Sequence, residues 1–121
     1  MTPDEFIETI LCNRQLTTQG FGVYDGSDET FEEERGNLAE CYKEANICEE
    51  FLKACSRTKS PNKAIGSTKD IIHDVERHSS SPRIREGALI LAAIHLGFDM
   101  KRVRNRTSVY LNISETPYQV P

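Results

Sequence analysis

The side chains with chemistry to offer are four cysteines, three histidines and a run of cations near the C-terminus. Cys41, Cys48 and Cys55 are seven residues apart, so on a helix they form one stripe with Cα atoms about 10 Å apart per step. A disulfide needs Cα atoms within about 7 Å, so these three cannot pair with one another while helical. The same spacing is too long for two sulfurs on one tetrahedral zinc. Small apolar thiols on a helical stripe are most simply core packing. Two alternatives stay open: a redox-sensitive thiol, and a bridge from Cys12 to one of the three. His73 and His78 are five apart and do not share a helix face, His95 is distant, and neither HExxH nor CxxC occurs. A catalytic Cys–His pair would have to meet in space. The acidic sequence around three of the thiols is a poor setting for a reactive thiolate. The expectation is no catalytic residue, no metal site and no cofactor.

The cations are the positive lead. Lys101, Arg102, Arg104 and Arg106 fall within six residues, and Arg83 and Arg85 sit where a helix is expected to begin, against the helix dipole. A compact basic turn contacts phosphates or docks on an acidic protein surface. The bland alternative is a solvated turn with ordinary surface charge. Against nucleic acid stand a pI near 5.4 and a basic run without interleaved aromatics. Gly20-Phe21-Gly22 lacks the rest of a dinucleotide fingerprint. Asn105-Arg106-Thr107 and Asn112-Ile113-Ser114 match the glycosylation pattern, which is idle in a chain that is not secreted.

Charge is divided along the chain. Residues 1–55 carry 13 acidic and 4 basic side chains, and residues 56–121 carry 6 acidic and 11 basic, for a net charge of −4. Such asymmetry hints at an electrostatic partner, although the halves can also neutralise each other on folding. With 121 residues, one domain over residues 1–115 and a loose tail over 116–121 are expected. The acidic start is no secretory signal, and no apolar run approaches membrane-spanning length, so a cytoplasmic protein is expected.

The elements that must position these residues are mostly helices. Thr2, Pro3 and Glu5 form a capping-box start, followed by an apolar face of Phe6, Ile7, Ile10 and Leu11. Residues 15–26 read as a loop, with a short extended piece at Phe21–Tyr24. A long second helix is predicted over about residues 30–56, capped by Thr30 and Glu33. Along it Leu38, Cys41, Ala45, Cys48, Leu52 and Cys55 make a heptad seam, which faces either the core or a second copy in a homodimer. A third helix starts at Ser67 or Thr68 and turns Ile71, Ile72 and Val75 inward. A fourth, over 82–96, opens with Ser81-Pro82, is apolar all round from Ile84 to Leu96, and stops at Gly97-Phe98. Val109, Leu111 and Ile113 alternate with polar residues, the period of a strand, which makes a C-terminal β-hairpin over about 98–113. The predicted fold is mainly α (α+β): about four helices around a central apolar helix, with that hairpin on one side.

Three of these segments together carry a resemblance. His73-Asp74-Val75-Glu76, the run Gly87-Ala88-Leu89-Ile90-Leu91-Ala92-Ala93-Ile94-His95-Leu96-Gly97-Phe98, and Ser108-Val109-Tyr110-Leu111-Asn112-Ile113-Ser114 resemble the His-x-Val-Glu, Gly-Ala-x-Ile-x-Ala-Ala-x-x-Leu-Gly-Phe and Asn-Ala-Tyr-Phe-Asn-Ile-Ser pattern of a family of short bacterial proteins without a known activity. The resemblance covers about residues 60–115. Where that family has Ser-Tyr-Gly-Leu-Lys, this chain has Thr68-Lys69-Asp70-Ile71-Ile72. The resemblance implies an origin among cargo of phages, plasmids and other mobile elements, and carries no site residue across.

The expected function is a small non-enzymatic interaction or accessory protein of a bacterial mobile element. It would bind a partner macromolecule, most readily a protein, as inhibitor or modulator of a host system. One alternative is weak nucleic-acid binding through Arg83, Arg85, Lys101, Arg102, Arg104 and Arg106. The other is a small enzyme whose site is assembled only in space.

Overall fold

A computed structural model describes residues 1–81 and 83–115. Pro82 and the predicted tail at 116–121 lie outside the described residues. In chain order the elements are α1 (Pro3–Cys12), β1 (Leu16–Thr17), β2 (Gly20–Phe21), α2 (Asp28–Leu38), α3 (Tyr42–Lys53), β3 (Ser56–Arg57), a 3-10 turn (Lys63–Ile65), α4 (Thr68–Ser79), α5 (Glu86–His95), β4 (Met100–Arg102), β5 (Val109–Leu111) and β6 (Ile113–Glu115). The fold is α+β, with helices packed together and short antiparallel strands between and after them.

α1 begins as its sequence dictates, with Thr2 and Glu5 exchanging cap hydrogen bonds. Its apolar face is narrower than predicted. Phe6 and Ile10 are buried, Phe6 meeting Tyr42 edge-on, whereas Ile7 and Leu11 are exposed on the next row of the helix.

The long second helix is two helices. α2 is capped by Ser27, which accepts from the Thr30 N–H, three residues before the predicted start. It ends at Leu38, followed by successive i→i−3 bonds from Ala39, Glu40 and Cys41 to Gly36, Asn37 and Leu38. α3 then starts at Tyr42. The break has a physical cause. Leu38 is the only buried residue of α2, whose remaining surface is largely acidic and cannot follow the core, and Gly36 and Asn37 are weak helix formers. Within α3 and its flanks the stripe persists: Leu38, Cys41, Ala45, Cys48 and Leu52 are fully buried inside the chain and Cys55 is partly buried. All four thiols are free, so Cys12, which is exposed, forms no bridge to the others.

The apolar helix starts later than predicted. Residues 83–85 are not helical, and Arg85 is extended, because neighbouring helices offer the N–H groups of Ile84 and Arg85 better acceptors than a helix turn would. Ile84 donates to the Glu76 carboxylate at 2.8 Å and Arg85 to the Glu44 carboxylate at 2.7 Å. α5 opens at Glu86, and its first N–H groups meet the β1 loop, Gly87 donating to the Thr18 carbonyl at 3.0 Å. Residues Glu86 to Ala93 are all buried, with α3, α1 and α4 packed on them. Gly97 takes a left-handed φ of 77° and Phe98 bonds back to Ala93, which closes the helix.

The strands form three two-stranded ribbons, β1–β2, β4–β5 and β3–β6, all antiparallel. The predicted hairpin is β4–β5, with Lys101 opposite Tyr110 and Arg102 opposite Val109. It ends at Leu111 rather than 113, because Asn112 changes the chain's partner. The Asn112 side-chain oxygen accepts from the Asp99 N–H, its amide donates to the Thr58 carbonyl, and its own carbonyl accepts from the Thr58 N–H. Ile113 therefore pairs with Arg57 of β3. Asn112 is buried with its amide engaged, so the glycosylation pattern there is inaccessible in the folded chain.

Candidate anion-binding face

The loop after α1 is folded on itself before it meets anything else. Thr17 donates through its hydroxyl to the Gly22 carbonyl and accepts from the Gln19 N–H, and Gly22 donates to the Gln15 carbonyl. Arg35 of α2 secures the loop, donating to the carbonyls of Ile10 in α1, Asn13 just after it and Leu16 of β1. This bent loop lies against the C-terminal hairpin, where the Phe21 N–H donates to the Thr107 carbonyl at 2.9 Å. Only glycine fits at position 20. Its φ is 116°, and a Cβ there would lie 2.3 Å from the Thr107 carbonyl oxygen.

That contact carries Phe21 and Tyr24 to the basic hairpin. The Arg102 guanidinium donates to the carbonyls of Phe21 and Arg106, each at 3.2 Å, and lies 5.2 Å from the Phe21 ring centroid. Asn105 supplies the left-handed residue of the turn at φ 58°. Two hollows adjoin, with Arg102 and Phe21 in both walls. One, of about 430 Å³, is walled further by Val23, Tyr24, Asn105, Arg106 and Thr107. The other, of about 380 Å³, adds Asn13, Arg14, Gln15, Met100 and Val109. Among the described residues three arginines line the pair and no acidic side chain does. Tyr24 is 69% exposed. Partial burial, and then the charge of Glu86, push its phenol up, so the hydroxyl remains a donor. Thr107 is buried, and its hydroxyl lies near the Tyr24 phenol, short of a well-formed hydrogen bond.

The six cations expected from sequence are therefore not equivalent. Arg85 is committed to Glu44, its Nη2 at 2.5 Å and its Nε at 3.1 and 3.2 Å from the carboxylate oxygens. Arg83 is exposed, but the hollows it lines, of about 360 and 350 Å³, also contain Glu34 and between them Glu44 and Glu86. Glu34 is held below the ordinary carboxylate range by hydrogen bonds from Thr18 first and Asn37 second, so it stays charged. Arg102 and Arg106 share the face that holds no acid among the described residues, and Tyr24 at its edge also lines the larger of the Arg83 hollows, with Glu34 and Glu86. Lys101 alternates to the other side of β4, beside Tyr110, and Arg104 is exposed on the turn. Arg14, Phe21 and Tyr24 complete the face and were not among the sequence candidates. The available signal was the Gly-Phe-Gly segment with Tyr24 beyond it, but its partner lies more than 80 residues away.

The groups with catalytic potential are dispersed. His73 lies near Glu76, His95 near Glu49, and His78 packs edge-on against Phe51. Burial pushes the thiols of Cys41 and Cys55 up to about 12 and that of Cys48 up as well. Among the described residues no cluster of three or more His, Cys, Asp or Glu side chains could hold a metal ion, and no helix is long and apolar enough to cross a membrane.

No protein-family model, curated protein or solved structure matches the chain.

Proposed function

We propose that this chain is a non-enzymatic binding protein that docks an anionic partner macromolecule on the face between the β4–β5 hairpin and the Phe21–Tyr24 loop. One observation carries the reading. In a chain with 19 acidic and 15 basic residues, two adjoining hollows are lined, among the described residues, by Arg14, Arg102 and Arg106 and by no carboxylate. Clustering cations without counter-charges raises the local potential and draws in an anionic ligand. The accessory role implied by the mobile-element resemblance fits a small chain that acts by occupying a partner. Free thiols suit a reducing compartment such as the cytoplasm. The reading assigns no homodimer to the Leu38–Cys55 seam, most of which is buried within the chain.

The test uses fluorescence anisotropy with labelled polyglutamate and a labelled oligonucleotide at low salt. Wild type is expected to bind at least one polyanion, with affinity falling as salt rises. The double variant Arg14→Glu/Arg106→Glu is expected to lose more than about tenfold, because both exposed cations are reversed. Absence of binding to both probes, or a double variant that binds as wild type does, refutes the proposal.

A further inference from the structure

We propose that the anionic partner is single-stranded nucleic acid, with a base stacked on Tyr24 and the flanking phosphates held by Arg102, Arg106 and Arg14. This rests on the anion-binding reading above and names its ligand. A carboxylate-rich peptide needs cations alone, whereas here aromatic rings stand among the arginines. Phe21 forms the wall shared by the two hollows, and Tyr24, 69% exposed, stands at the rim of the larger one. The Tyr24 phenol reaches toward Thr107 while most of its ring stays in solvent beside Arg102 and Arg106. A positively charged groove with aromatic platforms is the arrangement that binds unpaired strands, because every base has a π-face to stack and every linkage a phosphate to neutralise. Arg102 is already fixed by the Phe21 and Arg106 carbonyls, so its guanidinium is held in place before a ligand arrives.

The remaining wall groups suit bases as well. The side-chain amides of Gln15 and Asn105 offer donors and acceptors to base edges, and the two hollows of about 430 and 380 Å³ that share Phe21 each admit a base. Duplex fits poorly. α5 is buried and cannot enter a groove, and strands of three residues are too short to lie in one as a ribbon.

The experiment measures anisotropy of labelled single strands of about 12 nucleotides, DNA and RNA, beside a duplex of the same length and labelled polyglutamate. Wild type, Tyr24→Ala, Tyr24→Phe and Arg106→Glu are compared, with circular dichroism as the folding control. The expected result is single strands bound at least about tenfold more tightly than duplex or polyglutamate. Tyr24→Ala should lose about five- to a hundredfold, the effect of one stacked base, and Tyr24→Phe should retain most binding. Arg106→Glu should weaken binding and flatten its salt dependence. Polyglutamate or duplex bound as tightly as single strands, or Tyr24→Ala bound as wild type, overturns the inference and leaves the anion-binding reading in place. Binding of none of the probes overturns both.

Discussion

The seating of α5 makes a prediction in which two physical effects have opposite signs. Gly87 lies in the first turn of that helix, where Ala is intrinsically preferred over Gly by about 1 kcal/mol. A Cβ at this position would lie 1.9 Å from the Thr17 carbonyl oxygen and 2.9 Å from the Thr18 Cα, against ordinary contacts of 3.4 Å and beyond. The Thr17 carbonyl would have to retreat by about 1.5 Å, the difference between those separations. It is not free to do so, since Thr18 accepts the Gly87 N–H at 3.0 Å and Thr17 is tied to Gly22. Overpacking costs about 1–3 kcal/mol, and a weakened buried hydrogen bond about 1 more. Sterics therefore outweigh propensity, and Gly87→Ala should lose about 2 kcal/mol and roughly 5–12 °C in Tm. Gly36→Ala is the control. Gly36 is exposed in α2 with nothing near its Cβ position, so propensity acts alone and the variant should gain about 0.5–1 kcal/mol. Urea unfolding followed by far-ultraviolet circular dichroism gives both values. A Gly87→Ala midpoint at or above wild type would show that the α5–β1 contact yields easily and that the steric argument is wrong.

Two further predictions concern the α3–α5 junction and the thiols. Glu44→Ala should lose about 1–3 kcal/mol, because the Arg85 backbone N–H loses its acceptor. The partly exposed ion pair contributes under about 1 kcal/mol of that, so Glu44→Gln, which still offers an oxygen, should retain most stability; equal loss in both variants would contradict this division. Under native conditions a thiol reagent should titrate Cys12 rapidly and the other three slowly, and all four at once in denaturant. The raised thiols also set a pH dependence. Their folded-state values lie above those of the unfolded chain, so their contribution is intact below about pH 9 and falls as pH rises toward 12, by about 1.4 kcal/mol per pH unit for each thiol. Cys48→Ala should reduce that slope, and an unchanged slope would assign the alkaline loss to other groups.

What was legible in the sequence was whatever depends on neighbours along the chain. The Thr2–Glu5 capping box, the Gly97-Phe98 stop and the inward stripe through Cys41 and Cys48 are local or periodic, and each stands in the structure as read, whereas the 109–113 alternation holds only for its apolar residues, since Ser108 and Asn112 are buried as well. The departures occur where a distant group outbids a local one. The helix predicted from residue 82 loses its first turn to carboxylates of Glu44 and Glu76, and the hairpin ends early because Asn112 bonds to Thr58. The heptad seam was real, but its periodicity is blind to a backbone break at 39–41 that keeps the same residues inward. The candidate face was half legible for the same reason. Adjacent cations mark the hairpin, whereas the aromatics arrive through long-range hydrogen bonds between Phe21 and the hairpin residues Thr107 and Arg102, which no local pattern records.

The three ribbons have a consequence for how this chain behaves among copies of itself. Among the described residues, strands of two or three residues, each paired on one side, leave no edge long enough to template another strand, the route by which exposed sheets aggregate. For these described strands the same brevity disfavours recognition by strand addition, which needs a run of unpaired backbone groups. A partner must therefore be read by side chains, so an aromatic and cationic surface can stay open to solvent without inviting the backbone-to-backbone assembly that a longer hairpin in its place would promote.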